Sequence, residues 1–372
     1  MIYYIFSLFY VWNQAGIKQA YVQVTQFAPS ADVKCCMSGS FQGNITKKKM
    51  KEQISNANFP RDKEDRVYHI GVRVGDIANR IITVGDHVRA RKIAKLLDSE
   101  EETGHPIFER TSQRGFLTIT GRYKDVPVSI MAIGMGNPMM DFFVRETRAS
   151  VEGTLAIIRF GSCGSLSQLA PPGAVIVPSA GYCIRRNIDY FAEKPIYPEL
   201  KDKPYLFSGN FKADEKMTDI LSKTLESALA PLESENDVGP ILTGGLNADG
   251  CSFYSSQGRF DPDFWDDNEN LLKEIVTNYP DTLSIEMETS MLFHLARCAH
   301  DPSKPIKAAG CMQVFADRLA NTFISPEVVS VLEPIVGKAC LDALIQVEIE
   351  NEMPIEGSVW EPLDQRKPKI NS

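Results

Sequence analysis

Ala156-Ile157-Ile158-Arg159-Phe160-Gly161-Ser162-Cys163-Gly164-Ser165 is the stretch on which the fold turns. Its first half is a short β-branched apolar run, the pattern of a strand covered on both faces. Its second half is Gly-x-x-Gly-Ser, where backbone can approach a ligand closely and hydroxyls can donate. Arg159 stands at the boundary. Open α/β sheets collect ligands at the carboxyl ends of their strands, so Arg159 and Ser162 could face one anion. Taken alone, the same residues equally describe an ordinary strand-to-turn junction with a surface arginine, because one glycine pair carries little information.

Outward from this strand, apolar runs alternate with helical patterns. Ile81–Val84 reads as a strand, Gly85-Asp86 as a turn and His87–Leu97 as a helix carrying Arg89. A strand, a glycine turn and an Arg-bearing helix make a second place for an anion. Phe116–Tyr123 and Val126–Ile133 read as a hairpin around Lys124-Asp125, and Gly134–Pro138 as a glycine-rich turn into a helix over Met139–Glu152. Further strands are expected at Ala174–Pro178, Ile241–Thr243, Leu283–Ile285 and Ile306–Phe315. Helices are expected at Lys216–Leu229, Trp265–Tyr279, Thr289–Ala299 and Pro326–Glu350. Residues 186–214 read as a long polar and aromatic excursion. The alternation predicts an α/β fold, a single domain over residues 66–350 with a mixed central β-sheet flanked by helices.

Residues 1–65 read as a weakly ordered N-terminal extension and 351–372 as a polar C-terminal tail. Met1–Trp12 is strongly apolar but shorter than the roughly 20 residues a bilayer requires, and no positive region precedes it. Met37 and Met50 are alternative starts, and a membrane or import signal is the rival reading of the tip. Of the 372 residues 43 % are apolar, enough for a large core. The net charge of −8 with dispersed Lys and Arg argues against nucleic-acid binding through a broad basic face. The 8 Cys show no zinc or CxxC spacing, which points to reduced thiols in the cytoplasm, with Cys163 a small filler.

Several polar groups stand at turns. Arg89, Arg114 and Arg159 are fork-shaped donors suited to phosphate oxygens, although spacing does not show that they converge. Gln257-Gly258-Arg259 beside Phe253 supplies an amide, a guanidinium and an aromatic face, a set that suits a flat heterocycle with carbonyls and an N–H. Glu286-Met287-Glu288 sits at a strand-to-helix junction, where a carboxylate can accept from vicinal hydroxyls or simply face the helix N-terminus. Asp317-Arg318 follows the last strand. No P-loop, GxSxG, EF-hand or zinc signature occurs, and no metal site is expected.

In combination these segments resemble nucleoside phosphorylase family I over residues 66–348, and within it the branch that reads uracil. The carrying motifs are Tyr-His-Ile-Gly (68–71), Val-Gly-Asp-x-x-Arg (84–89), Ser-x-Arg-Gly-Phe (112–116), Arg-Phe-Gly-Ser-Cys-Gly (159–164), Phe-Tyr-x-x-Gln-Gly-Arg (253–259), Glu-Met-Glu (286–288) and Asp-Arg-Leu (317–319). The resemblance implies reversible phosphorolysis of uridine, with possible tolerance of deoxyuridine or thymidine, and phosphate as co-substrate without a cofactor. It implies that Gly85, Arg89, Arg114, Arg159 and Ser162 bind phosphate. It gives His69, Phe253, Gln257, Arg259, Met287 and Glu288 to the nucleoside, with Arg159, Arg259, Glu288 and Arg318 in catalysis. It also implies a homodimer in which His69 and Arg114 reach across the interface. Gly115 replaces the Glu that relatives with an interfacial cation site carry, so no metal is expected there. Purine-specific phosphorylases, methylthioadenosine nucleosidases and a catalytically silent nucleoside binder are the competing readings.

Overall fold

The computed structural model describes the backbone of residues 3–12 and 18–27, then residue 54, residues 56–232 and residues 238–362. The chain divides into two units, residues 1–51 and 52–372. In the first, Tyr3–Trp12 and Lys18–Phe27 pair as an antiparallel hairpin. The expectation of weak order over 1–65 falls otherwise largely outside the described residues.

The second unit is the α/β body. Its first long strand is β1 (Arg80–Val84), followed by α1 (His87–Ala94), whose cap Asp86 accepts the Arg89 N–H at 2.9 Å. The hairpin β2 (Leu117–Tyr123) and β3 (Val126–Ala132) turns through Lys124 and Asp125, both left-handed at φ 51° and 65°. That is the mirror-image turn which matches strand twist. Helix α2 (Asn137–Arg148) starts after Gly136 with Pro138 in its first turn. Then come β4 (Leu155–Ser165), β5 (Ala180–Arg186), α3 (Glu215–Leu229), β6 (Leu246–Gly250), β7 (Thr282–Glu286), α4 (Thr289–Cys298), β8 (Ile306–Asp317) and α5 (Pro326–Leu344).

The sheet runs Tyr205–Phe207, β5, β6, β7, β4, β1, β3, β2, Phe108–Thr111, with β8 paired along β4. Strand β4 lies parallel to β1 and β8 and antiparallel to β7, so the sheet is mixed, as the sequence predicts. Because side chains alternate along a strand, β4 feeds two layers. Ile158 and Phe160 face the cluster built with α1, α3 and α5. Leu155 and Ile157 face the cluster built with α2 and α4. Burying each large aliphatic side chain contributes about 1.5–3 kcal/mol. Arg159 belongs by alternation to the α2/α4 layer, where an unpaired charge would cost several kcal/mol. The active-site geometry follows from how that charge is met.

Four sequence expectations are corrected. The Gly-x-x-Gly-Ser expected to turn after Phe160 instead continues β4 as strand to Ser165, because β8 pairs along its whole length. The helix expected over Trp265–Tyr279 spans only Leu271–Asn278. Asp267 is left-handed at φ 47°, and the Asn268 side chain donates to the Ser255 and Arg259 carbonyls, so residues 265–270 serve a loop instead. The excursion at 186–214 contains a strand, Tyr205–Phe207, that closes one sheet edge against β5. The C-terminal tail is packed as far as Trp360, which is buried against the α2/α4 cluster, while Arg80 holds Glu352 at 2.6 Å. Residues 363–372 of that tail lie outside the described residues.

Candidate active site

Arg159 is 3 % exposed, and its Nη2 donates to Glu288 Oε2 at 2.7 Å. Its Nε and Nη1 are buried with no protein partner. A guanidinium presents five N–H donors in a planar fork, and here only one arm is used within the chain. Gly161, two residues on and on the same face, lies beside it, and a Cβ there would make ordinary contact with Nε at 3.5 Å. Glu288, 4 % exposed, is held from the other side by the Gly136 N–H, and Gly136 reaches that position at φ 98°. Gly85 adjoins the same turn through its carbonyl, which accepts the Gly134 N–H at 2.9 Å. Met287 leans on the same turn, its methyl 3.7 Å from where a Gly136 Cβ would be. The structure therefore brings Gly85, Met287 and Glu288, just past the ends of β1 and β7, around one turn beside Arg159 in the middle of β4.

Glu286 turns back into the strand end. It accepts from Asn247 Nδ2 at 2.6 Å and from the Glu288 and Thr289 N–H groups at 3.0 Å. Burial first, then the Glu288 charge, pushes its carboxyl up to about 7. Asp249, paired with Glu286 across β6 and β7, is raised well above the usual carboxylate range by burial and by both glutamates. It accepts the Met291 N–H at 3.0 Å. Burial raises the Cys163 thiol as well, which suits a filler and not a nucleophile.

A second group forms on the loop after β6. Arg259 Nη1 donates to Gln257 Oε1 and to the Phe253 carbonyl, both at 2.7 Å, and its guanidinium lies 3.6 Å above the Phe253 ring. Gln257 is buried, whereas Phe253 is half exposed. Arg318 approaches from the end of β8, its Nη2 3.4 Å from the Gly258 carbonyl and its Nη1 buried without a partner. Its stem crosses Gly164, where a Cβ would stand 2.6 Å from Cγ, so only glycine leaves it space. Burial and the Arg318 charge bring Arg259 down to about 10, and burial lowers Arg318. Two guanidiniums that repel one another beside an aromatic face are set to receive an electron-rich heterocycle.

The remaining predicted residues lie elsewhere. His69 stacks on Phe142 at 3.9 Å and meets Glu146 through Nδ1 at 2.6 Å. Arg114 is bonded through Nη2 to the Tyr68 hydroxyl at 2.7 Å, with its cation 5.1 Å from that ring. Tyr68 packs edge-on against His69, so the two residues implied to act across an interface share one patch. Arg89 is not joined to Arg159 by any described bond. It lies over Phe160 at 5.0 Å and pairs with Glu333 of α5 at 3.0 Å, which also holds Lys92. Half-buried Ser162 falls by alternation on that Phe160 face. Sequence reading missed Glu146, Asn247, Asp249 and Glu333. Asp249 stands at a strand's carboxyl end, a signal that could have found it, whereas nothing near Glu333 in sequence marks it as a partner of Arg89.

A buried, half-used arginine paired to a carboxylate, with a base-shaped loop nearby, defines a site for an anion and a nucleoside-like ligand. Residues 79–323 match the family model of the phosphorylase superfamily, and the chain belongs to that family. A uridine phosphorylase of Thermococcus kodakarensis is 28 % identical over 284 residues, 74 % of this chain and 86 % of the relative. A DeoD-type purine nucleoside phosphorylase of Caldanaerobacter subterraneus is 30 % identical over 229 residues, 61 % of this chain and 80 % of that protein. Among solved structures, one from a study of uridine phosphorylases in the oomycete Phytophthora capsici is 38 % identical. It superposes with a TM-score of 0.73 over 80 % of this chain and 100 % of its own. A Trypanosoma brucei nucleoside phosphorylase, 21 % identical at a TM-score of 0.63 over 78 % of this chain and 100 % of its own, shares the fold.

Proposed function

We propose that this chain is a uridine phosphorylase, a pentosyltransferase that converts uridine and phosphate reversibly to uracil and ribose 1-phosphate. The observation that carries this reading is the Arg159–Glu288 pair. One arm of the guanidinium fixes the carboxylate, and two further donors stay free in a buried place for a phosphate. Glu288 then accepts from ribose hydroxyls while Met287 packs on the sugar. The family resemblance adds Gly85, Ser162 and Arg89 to the phosphate end. The last two lie on the Phe160 side of β4, so in this reading Arg89 exchanges its hold on Glu333 for the anion and the site rearranges on binding. The Gln257 amide and the Arg259 fork, which already hydrogen-bond each other, read the uracil edge, with Phe253 on its face. The uridine-cleaving relatives support this choice of base.

The chemistry needs charge stabilisation at two ends. As the glycosidic bond stretches, the ribose becomes cationic and the leaving base anionic. Phosphate held by Arg159 supports the first charge, and Arg259 with Arg318 supports the second. No covalent enzyme intermediate or redox step is required, so phosphate is the only co-reactant. The patch of Tyr68, His69 and Arg114 supports a homodimer in which each copy lends His69 and Arg114 to the other's site. Among the described residues no helix is long and apolar enough to cross a membrane, and no cluster of three His, Cys, Asp or Glu could hold a metal. We place the enzyme in the cytoplasm on its thiol usage. The deciding experiment incubates uridine, thymidine and inosine with and without phosphate. Phosphate-dependent uracil release is the expected result. Turnover of inosine alone, or release of uracil without phosphate, would overturn the reading.

A further inference from the structure

The excursion between β5 and α3 supplies no residue to either end of the site, yet several of its polar and aromatic contacts converge on one target, the loop that follows Arg259. Tyr205 is 5 % exposed, and its hydroxyl donates to the Asp266 carbonyl at 2.7 Å while sharing a 2.8 Å hydrogen bond with Ser255 Oγ. Tyr190 donates to Asp267. The Tyr190 and Phe191 rings pack on Trp265 with centroids 5.9 and 5.2 Å away. Arg186, where β5 ends, reaches Asp266 at 3.4 Å. On the inner side, Ser255 opens the short helical turn that ends at Gln257, and Asn268 bonds the Ser255 and Arg259 carbonyls at 3.0 Å. One buried hydroxyl thus ties both ends of the segment Ser255–Asp266, and Gln257 and Arg259 lie between them.

We propose that the excursion is a brace for the base-reading loop and that Tyr205 is a positioning residue for uracil recognition. This rests on the proposed function of that loop. Tyr205 acts through Ser255 and Asp266 and does not touch substrate. The physical reason is that Gln257 and Arg259 stand on irregular backbone, whose geometry is not set by a sheet ladder or a long helix. An irregular loop recognises a flat edge only if its freedom has been removed beforehand. The phosphate end, held by the sheet ladder around Arg159, needs no such brace.

The test is Tyr205→Phe, which deletes the hydroxyl alone, with Trp265→Ala as a second variant that loosens the aromatic contact. Steady-state kinetics should show the uridine KM rising about fivefold, the effect of one lost hydrogen bond, with the phosphate KM unchanged. Hydrogen exchange at the Gly258 and Arg259 amides, which donate to the Ser255 and Tyr254 carbonyls, should quicken while exchange in β4 stays as in the parent protein. Unchanged uridine KM and unchanged loop exchange in both variants would overturn the brace. So would parallel rises in both KM values with faster exchange throughout, which would mean a general loss of stability. If the parent protein releases no uracil, the functional reading falls, and the exchange at Gly258 and Arg259 then decides the brace by itself.

Discussion

The two groups of the site, the proposed phosphate end and the proposed base end, are made of different material. Gly85 and Glu288 follow the ends of β1 and β7 and Arg159 lies within β4, their relative places set by sheet register and by a buried ion pair. Gln257, Arg259 and Phe253 stand on a loop whose shape depends on side-chain ties from Asn268 and Tyr205. Ladder geometry is stiff and hard to alter locally, whereas a loop can be re-formed by a few substitutions. The arrangement separates a fixed reaction from an adjustable choice of base. The similarity of this chain to both uridine and purine phosphorylases is consistent with that division.

The sharpest way to break the comparison is Arg159→Ala. It removes the proposed phosphate donor and leaves Glu288 buried without its cation, so turnover should fall by about 1000-fold or more, equivalent to about 4 kcal/mol. The phosphate KM should rise far more than the uridine KM, and equal rises would show that the two ends are not separable. Arg259→Ala comes next. Uridine kcat/KM should drop by about 100-fold, with the phosphate KM and the melting temperature close to the parent values. A matching loss of phosphate affinity would place Arg259 in the wrong half.

The smallest expected effect concerns pH. Glu286 titrates near 7 in the folded chain, against roughly 4.3 for a free glutamate. The folded state holds its proton more tightly, so the stability that Glu286 contributes is fully present below about pH 4 and is lost as pH rises through about 7. Glu286→Gln should flatten that fall in a series of thermal melts from pH 5 to 8. A slope unchanged from the parent protein would mean that Glu286 is ionised throughout.

The same contrast governs how much of the molecule is legible in its amino-acid sequence. The apolar start of β4 and the alternation around it are legible because periodicity and apolar runs are local properties, whereas its continuation through residues 161–165 is not, because it depends on pairing with β8. The hairpin at Lys124-Asp125 is legible for the same reason. The stretch 265–270 is not, because its fate is decided by Asn268 bonding carbonyls 13 and 9 residues earlier, and a helical pattern cannot register that. The chemistry of Gln257 and Arg259 can be guessed from residue types, yet their contact with Arg318 depends on β8 arriving beside β4. Arg89 shows the limit most clearly. Its neighbours in sequence describe an anion site, while Glu333, 244 residues away, holds it in the structure.

Because β4 lies between β1 and β8, we expect the reacting centre to be among the last parts of the fold to assemble. The Arg159–Glu288 bond links residues 129 apart in sequence, and Arg159 pairs with Gly310 in β8 and with Thr83 in β1. Contacts of such separation close late, because chain entropy must be overcome before they form. During synthesis or refolding, the hairpin β2–β3 can assemble early, but the reacting centre waits until the chain has emerged past Asp317. Recovered activity should therefore lag recovered secondary structure, which makes enzymatic turnover a sensitive clock for the last event in folding.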